Sequence, residues 1–193
     1  MSKSKTIKIN MNGSDDPNYR YKMPGFEVIN GGGGNGRFTV LRNIDDISRS
    51  INHPTQVICK FIAGITGSNY IEARQELTGS HSASDLNKLI LQYIKNLVLC
   101  PKCNIPETIP TVYGSKKNAG IEVTCSACKH KTQLSANNKY ADKGIDIIVK
   151  YLNANNPWTI TKGTIVMNES SQNDMSTNLS EKSDDELCPF DEI

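Results

Sequence analysis

Two C-x-x-C pairs, CPKC at 100–103 and CSAC at 125–128, stand 21 residues apart, and this spacing constrains the chain more than any other feature. Each pair can bend around an ion as a tight knuckle. The segment between them is long enough to fold back as a hairpin, bringing four thiolates to one point. Tetrahedral zinc suits that set. Cys100, Cys103, Cys125 and Cys128 would fill its coordination shell and leave no position for an activated water, so one structural zinc ion is expected. The residues around Glu107 to Tyr113 and Gly120 to Val123 are then expected to pair as the strands of a ribbon. A redox dithiol pair or disulfides are the alternatives. His130, two residues after Cys128, is a substitute ligand on paper, with an exposed histidine the plainer reading. The other two of the six cysteines, Cys59 and Cys188, stand alone, unlike a secreted disulfide framework.

A metal-stapled ribbon leaves the rest of the chain to build its own core. With 37% hydrophobic and only 6% aromatic residues in 193, the material suits small packed modules. No run approaches about eighteen apolar residues, and MSKSKTIKINMN lacks the apolar stretch of a signal peptide. A cytoplasmic protein without membrane association is expected. The net charge of +2 hides an asymmetry: residues 164–193 hold eight acidic side chains and one lysine, leaving 21 basic against 12 acidic groups in the first 163. Such a basic body is compatible with an RNA or ribosome surface, because cationic side chains release counterions condensed on phosphates. A merely soluble basic surface is the bland alternative.

Along the chain, residues 1–18 are polar and expected to be flexible. NGGGGNG at 30–36 is a glycine loop, and RFTVLR at 37–42 alternates as a short strand. Asn43 or Asp45 can cap a helix that the proline of NHP stops near Asn52. TQVICKFIAGITG predicts a second helix ending at Gly67, and NYIEARQELT an edge-like strand or hairpin. The clearest helix is SHSASDLNKLILQYIKNLV, with Ser82 and Asp85 as a capping box and Leu86, Leu89, Ile90, Tyr93 and Leu97 on one face. A last helix is expected to present Ile145, Ile148, Val149 and Leu152 together, and from about Pro157 the Ser, Asn, Asp and Glu content predicts an acidic disordered tail. The expected units are 1–18, an α+β domain at 19–97, the ribbon at 98–135, a helix at 136–156 and the tail at 157–193.

These segments, in this order, resemble the amino-terminal half of eukaryotic translation initiation factor 5 and, more distantly, the beta subunit of initiation factor 2. The resemblance covers roughly residues 16–155 and rests on YRYKMP, on GNG followed by a strand, on NHPTQVICKFI, on GSH before the long helix, and on IKNLVLCPKCNIPET and CSAC. It implies an α+β fold, a small mixed domain followed by a four-cysteine zinc ribbon. It also implies stimulation of GTP hydrolysis by the initiation factor 2 complex on the small ribosomal subunit, with a part in start-codon selection. The implied partners are the gamma subunit of that factor with GTP and initiator tRNA, and the ribosomal RNA of the small subunit. By the same resemblance Arg20, between Tyr19 and Tyr21, is the candidate arginine finger, delivered on a mobile segment, and Lys60 is a supporting cation. Asn35 and Arg37 are candidate ribosome or tRNA contacts.

The chain departs from the family pattern in three places. Phe38 stands where the family usually has a lysine, with Arg37 just before it, and the glycine loop lacks the usual basic residues. The helical-repeat domain that follows in factor 5 is not expected from the residues here. The acidic end DDELCPFDEI is either a short docking motif for other initiation factors or a solubilising tail. A non-catalytic binding module competing for the same surface, or a beta-subunit-like component, are the alternative functions.

Overall fold

The computed structural model describes residues 7–114, 119–154 and Trp158; the first six residues and, apart from Trp158, the expected acidic tail lie outside the described residues. The protein has a mixed α/β fold, with nine strands in three antiparallel sheets and four helices among the described residues. Strands β1 (Lys8–Asn10) and β2 (Lys22–Pro24) form a two-stranded ribbon. A four-stranded sheet in the order β3-β4-β6-β5 contains β3 (Val28–Gly31), β4 (Phe38–Leu41), β5 (Tyr70–Ile71) and β6 (Glu76–Thr78). The third sheet joins β7 (Thr108–Tyr113), β8 (Gly120–Cys125) and β9 (Lys131–Gln133).

Helix α1 (Ile44–Ile51) buries Ile44, Ile47 and Ile51 at steps of three and four and places Asp45 and Asp46 at its positive N-terminal end. Asn43 precedes it but does not cap it. Its side-chain amide donates to the Gly25 carbonyl at 2.7 Å, and its oxygen accepts the Glu27 N–H at 2.9 Å, fixing the β2–β3 connection. Asn52 ends the helix in the left-handed conformation, φ 60°, and Pro54 forbids its continuation. Helix α2 (Thr55–Thr66) runs through the middle, against α1, α3 and α4, and buries Val57, Ile58, Cys59, Phe61, Ile62 and Ala63. Burial over most of its circumference, broken at Lys60 and Gly64, explains why its sequence period is ambiguous.

Helix α3 (Ala83–Leu97) begins as its sequence predicts. Ser82 Oγ accepts the Asp85 N–H at 3.1 Å and donates to the Asp85 carboxylate at 2.7 Å. Its buried face is Leu86, Ile90, Tyr93, Ile94 and Leu97, with Leu89 only half buried. Helix α4 (Lys139–Asn153) departs further from expectation. Its buried residues are Ala141, Gly144, Ile147 and Ile148, while Ile145, Val149 and Leu152 flank them partly covered. The cause is a close helix approach: a Cβ at Gly144 would sit 2.1 Å from Leu97 Cδ1, so α4 lies on α3 through its small residues.

The polar start of the chain also differs from the flexible segment expected at 1–18. Residues 8–10 pair in register with 22–24, and Asn10 Nδ2 holds the Ser14 and Asp16 carbonyls at 2.7 Å each. These hydrogen bonds need no apolar side chains, so composition alone does not reveal them. The third sheet is not a separate lobe: Ile121 and Val123 on β8 are buried in the same core as Ile147 and Ile148 of α4, and Thr108 Oγ1 donates to Val98 O at 2.8 Å. Beyond the C-terminal end of α4, Trp158 packs edge to ring on His53 and Tyr151, with centroids 4.7 Å and 6.0 Å away. Among the described residues no helix is long and apolar enough to cross a membrane.

Candidate functional site

The two cysteine knuckles are near copies of each other. In the first, Asn104 N–H donates to Cys100 O at 2.8 Å and Cys100 N–H to Ile105 O at 3.1 Å; in the second, Lys129 N–H donates to Cys125 O and Cys125 N–H to His130 O, both at 2.9 Å. Asn104 and Lys129 adopt φ of 55° and 59°, a conformation that costs a side-chain-bearing residue energy and is held here by the closed loop. His130 contributes its backbone carbonyl to this turn, and the four-sulfur group is complete without its ring.

The four Sγ atoms lie within 4.8 Å of one another. Cys100 to Cys128 is 3.6 Å and Cys103 to Cys125 is 3.7 Å, far outside the roughly 2.05 Å of a disulfide. A tetrahedron built on metal–sulfur bonds of about 2.3 Å has edges near 3.8 Å, so the donor set fits a tetrahedral cation of the zinc type. Burial opposes ionisation of Cys100, yet the N–H groups of Cys103 and Lys102 with the neighbouring thiols bring it down to about 7. Burial and the thiols of Cys128, Cys100 and Cys125 push Cys103 up to about 12. A first thiolate thus raises the next, an opposition that a bound dication removes.

Close to the second knuckle stands the segment that carries Arg20. Its neighbours give it a fixed seat, in place of the mobile arm expected from sequence. Tyr21 O accepts the Met11 N–H at 3.1 Å, Tyr19 N–H donates to Asp16 O at 3.2 Å, and Met23 is fully buried. Tyr19 and Tyr21 lean on the core and on each other at 6.0 Å, and burial raises the Tyr19 pKa. Tyr21 reaches further: its hydroxyl donates to Glu107 Oε1 at 2.6 Å. Arg20 itself lies at the surface, its guanidinium carbon 5.5 Å from the Tyr21 ring centroid.

The remaining candidates lie on other elements. Lys60 is exposed on α2 between the buried Cys59 and Phe61. Asn35 and Arg37 are exposed at the β3–β4 turn, where Gly32, at φ 75°, leaves no room for a Cβ: one would meet Gly36 O at 2.1 Å. Arg37 O accepts the Gly79 N–H at 2.8 Å, anchoring the turn's return strand. Phe38 folds over Gly31, its ring filling the space a Cβ would take. Among the described residues no hydrogen bond or ion pair links Arg20, Lys60, Asn35 and Arg37 to each other; only the four cysteines converge. Sequence reasoning gives no cause to single out Glu107, since its partner is 86 residues away and no local pattern marks the pair.

The model of a family described as a domain found in initiation factors 2B and 5 matches residues 11–131, running from just after β1 through β2, helices α1 to α3 and both knuckles. The chain is 37% identical over 136 residues to eukaryotic translation initiation factor 5 of Drosophila melanogaster, covering 68% of this chain and 29% of that protein. The Mus musculus protein of the same name is 33% identical over 138 residues, 69% of this chain and 32% of its own length. For the Saccharomyces cerevisiae protein the figures are 31% over 128 residues, 64% and 31%. The chain thus spans about a third of the length of the curated relatives it matches. With the match running through the arginine-bearing segment, the core and the cysteine knuckles, the chain belongs to the family defined by the domain of initiation factors 2B and 5.

Proposed function

We propose that this protein is a translation initiation factor that stimulates GTP hydrolysis by the initiation factor 2 ternary complex on the small ribosomal subunit and contributes to start-codon selection. The observation that carries the reading is a surface Arg20 held by ordered neighbours, in a chain similar to initiation factor 5. GTP hydrolysis spreads negative charge over the transferring phosphoryl oxygens, and a guanidinium inserted from outside stabilises it through several directed donors. Fixing Arg20 beforehand lowers the ordering cost at the moment of reaction. The reacting nucleotide belongs to the partner's gamma subunit, so this chain is an activator and not itself the enzyme.

In this reading Lys60 supports the activation, and Asn35 and Arg37 approach ribosomal RNA or initiator tRNA from a loop whose glycines let the backbone come close. One zinc ion on Cys100, Cys103, Cys125 and Cys128 supplies structure alone, since four thiolates leave no open coordination position. The cytoplasm is the place of such work. One observation favours a non-catalytic competitor instead: Phe38, where relatives usually carry a lysine, spends its ring on Gly31 and offers no charge.

Single-turnover GTP hydrolysis in a reconstituted initiation complex separates the two. Arg20→Ala is expected to remove most of the activation, a loss of up to about a thousandfold or more where an arginine finger acts, with Arg20→Lys recovering little of it. Activation indifferent to both substitutions would take Arg20 out of this role. Binding without any activation by the unaltered chain would establish the competitor.

A further inference from the structure

We infer that Glu107 and Tyr21 are positioning residues that tie Arg20 to the four-cysteine centre, so that closure of the knuckles sets the place of the arginine. The inference rests on the reading of Arg20 given above. Glu107 lies between the knuckles in space: its carbonyl accepts the Ser126 N–H at 2.7 Å, next to Cys125, and the following Thr108 pairs with Cys125 across the β7–β8 ladder. Its carboxylate then takes the Tyr21 hydroxyl at 2.6 Å, a short hydrogen bond to a charged acceptor. The Tyr21 ring in turn faces the Arg20 guanidinium at 5.5 Å and Tyr19 at 6.0 Å. Its phenol pKa is raised, chiefly by the bond to Glu107, which keeps it a neutral donor.

The path is thus cysteine knuckle, Ser126 amide, Glu107, Tyr21, Arg20, with one hydrogen bond or ring contact at each step. The β1–β2 hairpin supplies the other attachment through Met11 and Met23. If the knuckles open, Ser126 and Thr108 no longer hold Glu107, and Tyr21 loses the only side-chain acceptor its hydroxyl has among the described residues. Arg20 then keeps its place in the chain but not its direction.

The Arg20–Tyr21 peptide bond gives a direct readout, because trypsin cuts there only when the segment opens. Mass spectrometry of the fragment ending at Arg20 is expected to show cleavage accelerated about tenfold by Tyr21→Phe and by Glu107→Ala, the factor for losing a hydrogen bond to a charged group. Glu107→Gln, which retains an acceptor, is expected to restore part of the protection. Stripping metal from the full chain with a zinc chelator is expected to accelerate the same cut while cleavage after Arg49, in α1, is unchanged. In the hydrolysis assay the two loss variants are expected to lower the plateau rate several-fold without shifting the half-saturating concentration, and Tyr21→Phe/Glu107→Ala to be no worse than either alone. Cleavage at Arg20 indifferent to these variants and to the chelator overturns the inference, even where Arg20→Ala abolishes activation. If the cleavage pattern holds and Arg20→Ala leaves activation intact, the tether stands and the activating role of Arg20 falls.

Discussion

Around α2, side chains from Val57 to Ala63 are sealed from water apart from Lys60, while at the tips of the ribbon Pro101, Lys102, Ser126 and Ala127, all exposed, surround the thiols. The two regions are ordered by different means. Each Val, Ile or Phe withdrawn from water in the core contributes about 1.5–3 kcal/mol, spread over many contacts. The knuckles have no such reserve, and two turns with left-handed Asn104 and Lys129 oppose their closure. Stability in one region is therefore spread over many side chains, and in the other it is concentrated on four converging thiols.

The largest expected effect breaks this contrast open. Chelation should remove the free energy of metal binding, which in isolated zinc peptides is on the order of ten kcal/mol, from the knuckles and the segment tied to them, leaving the helical core in place. Limited proteolysis is expected to cut after Lys102 and Lys129, while circular dichroism retains the signal of α1 to α3. Equal protection with and without chelator would show that the thiols hold their place unaided.

Acid should weaken the core instead. His53 is fully buried, its Nδ1 at 2.6 Å from Tyr93 Oη and its Nε2 without a partner, and burial pushes its pKa down to about 3. The unfolded chain takes up this proton near the ordinary value of about 6.5. Between those values the unfolded state holds the extra proton, so this contribution to stability is complete above about pH 6.5 and is lost as pH falls toward 3. At pH 5 the loss is about 2 kcal/mol. Urea midpoints measured from about pH 7.5 to pH 5 should fall more steeply in the unaltered chain than in His53→Gln; parallel slopes would mean that His53 is protonated while folded.

A smaller effect sharpens the comparison on α4, which touches both regions. Gly144→Ala gains nearly 1 kcal/mol of helix propensity but drives a methyl into Leu97, an overpacking that costs about 1–3 kcal/mol. A net destabilisation on the order of 1 kcal/mol is expected in thermal or urea unfolding. A stabilised variant would show that α4 can slide away from α3.

What can be read from sequence follows the range of the forces involved. The Ser82–Asp85 cap and the face of α3 are written within a few residues of one another, and the knuckles repeat a spacing that brings four thiols to one point. The face of α4 is harder to read because large apolar residues draw the eye, whereas a close helix crossing buries Ala141 and Gly144. The β1–β2 pairing escapes a composition-based reading because it rests on backbone groups, Asn10 and a few apolar side chains scattered in a polar segment, Ile9, Met11 and Met23. Tyr21 and Glu107 meet across 86 residues with no local signature. The candidate site is legible where four cysteines converge, and hidden where a single long-range hydrogen bond joins Tyr21 to Glu107.

Trp158, the chain's single tryptophan, has a consequence of another kind. Its indole rests 4.7 Å from the ring of His53 and 6.0 Å from that of Tyr151, in contact with the helical core and not with the thiols. The protein therefore carries its own fluorophore, placed to see one region and blind to the other. Emission should respond to acid as His53 acquires its charge and stay constant when metal leaves the ribbon, giving an optical separation of the two regions without any label.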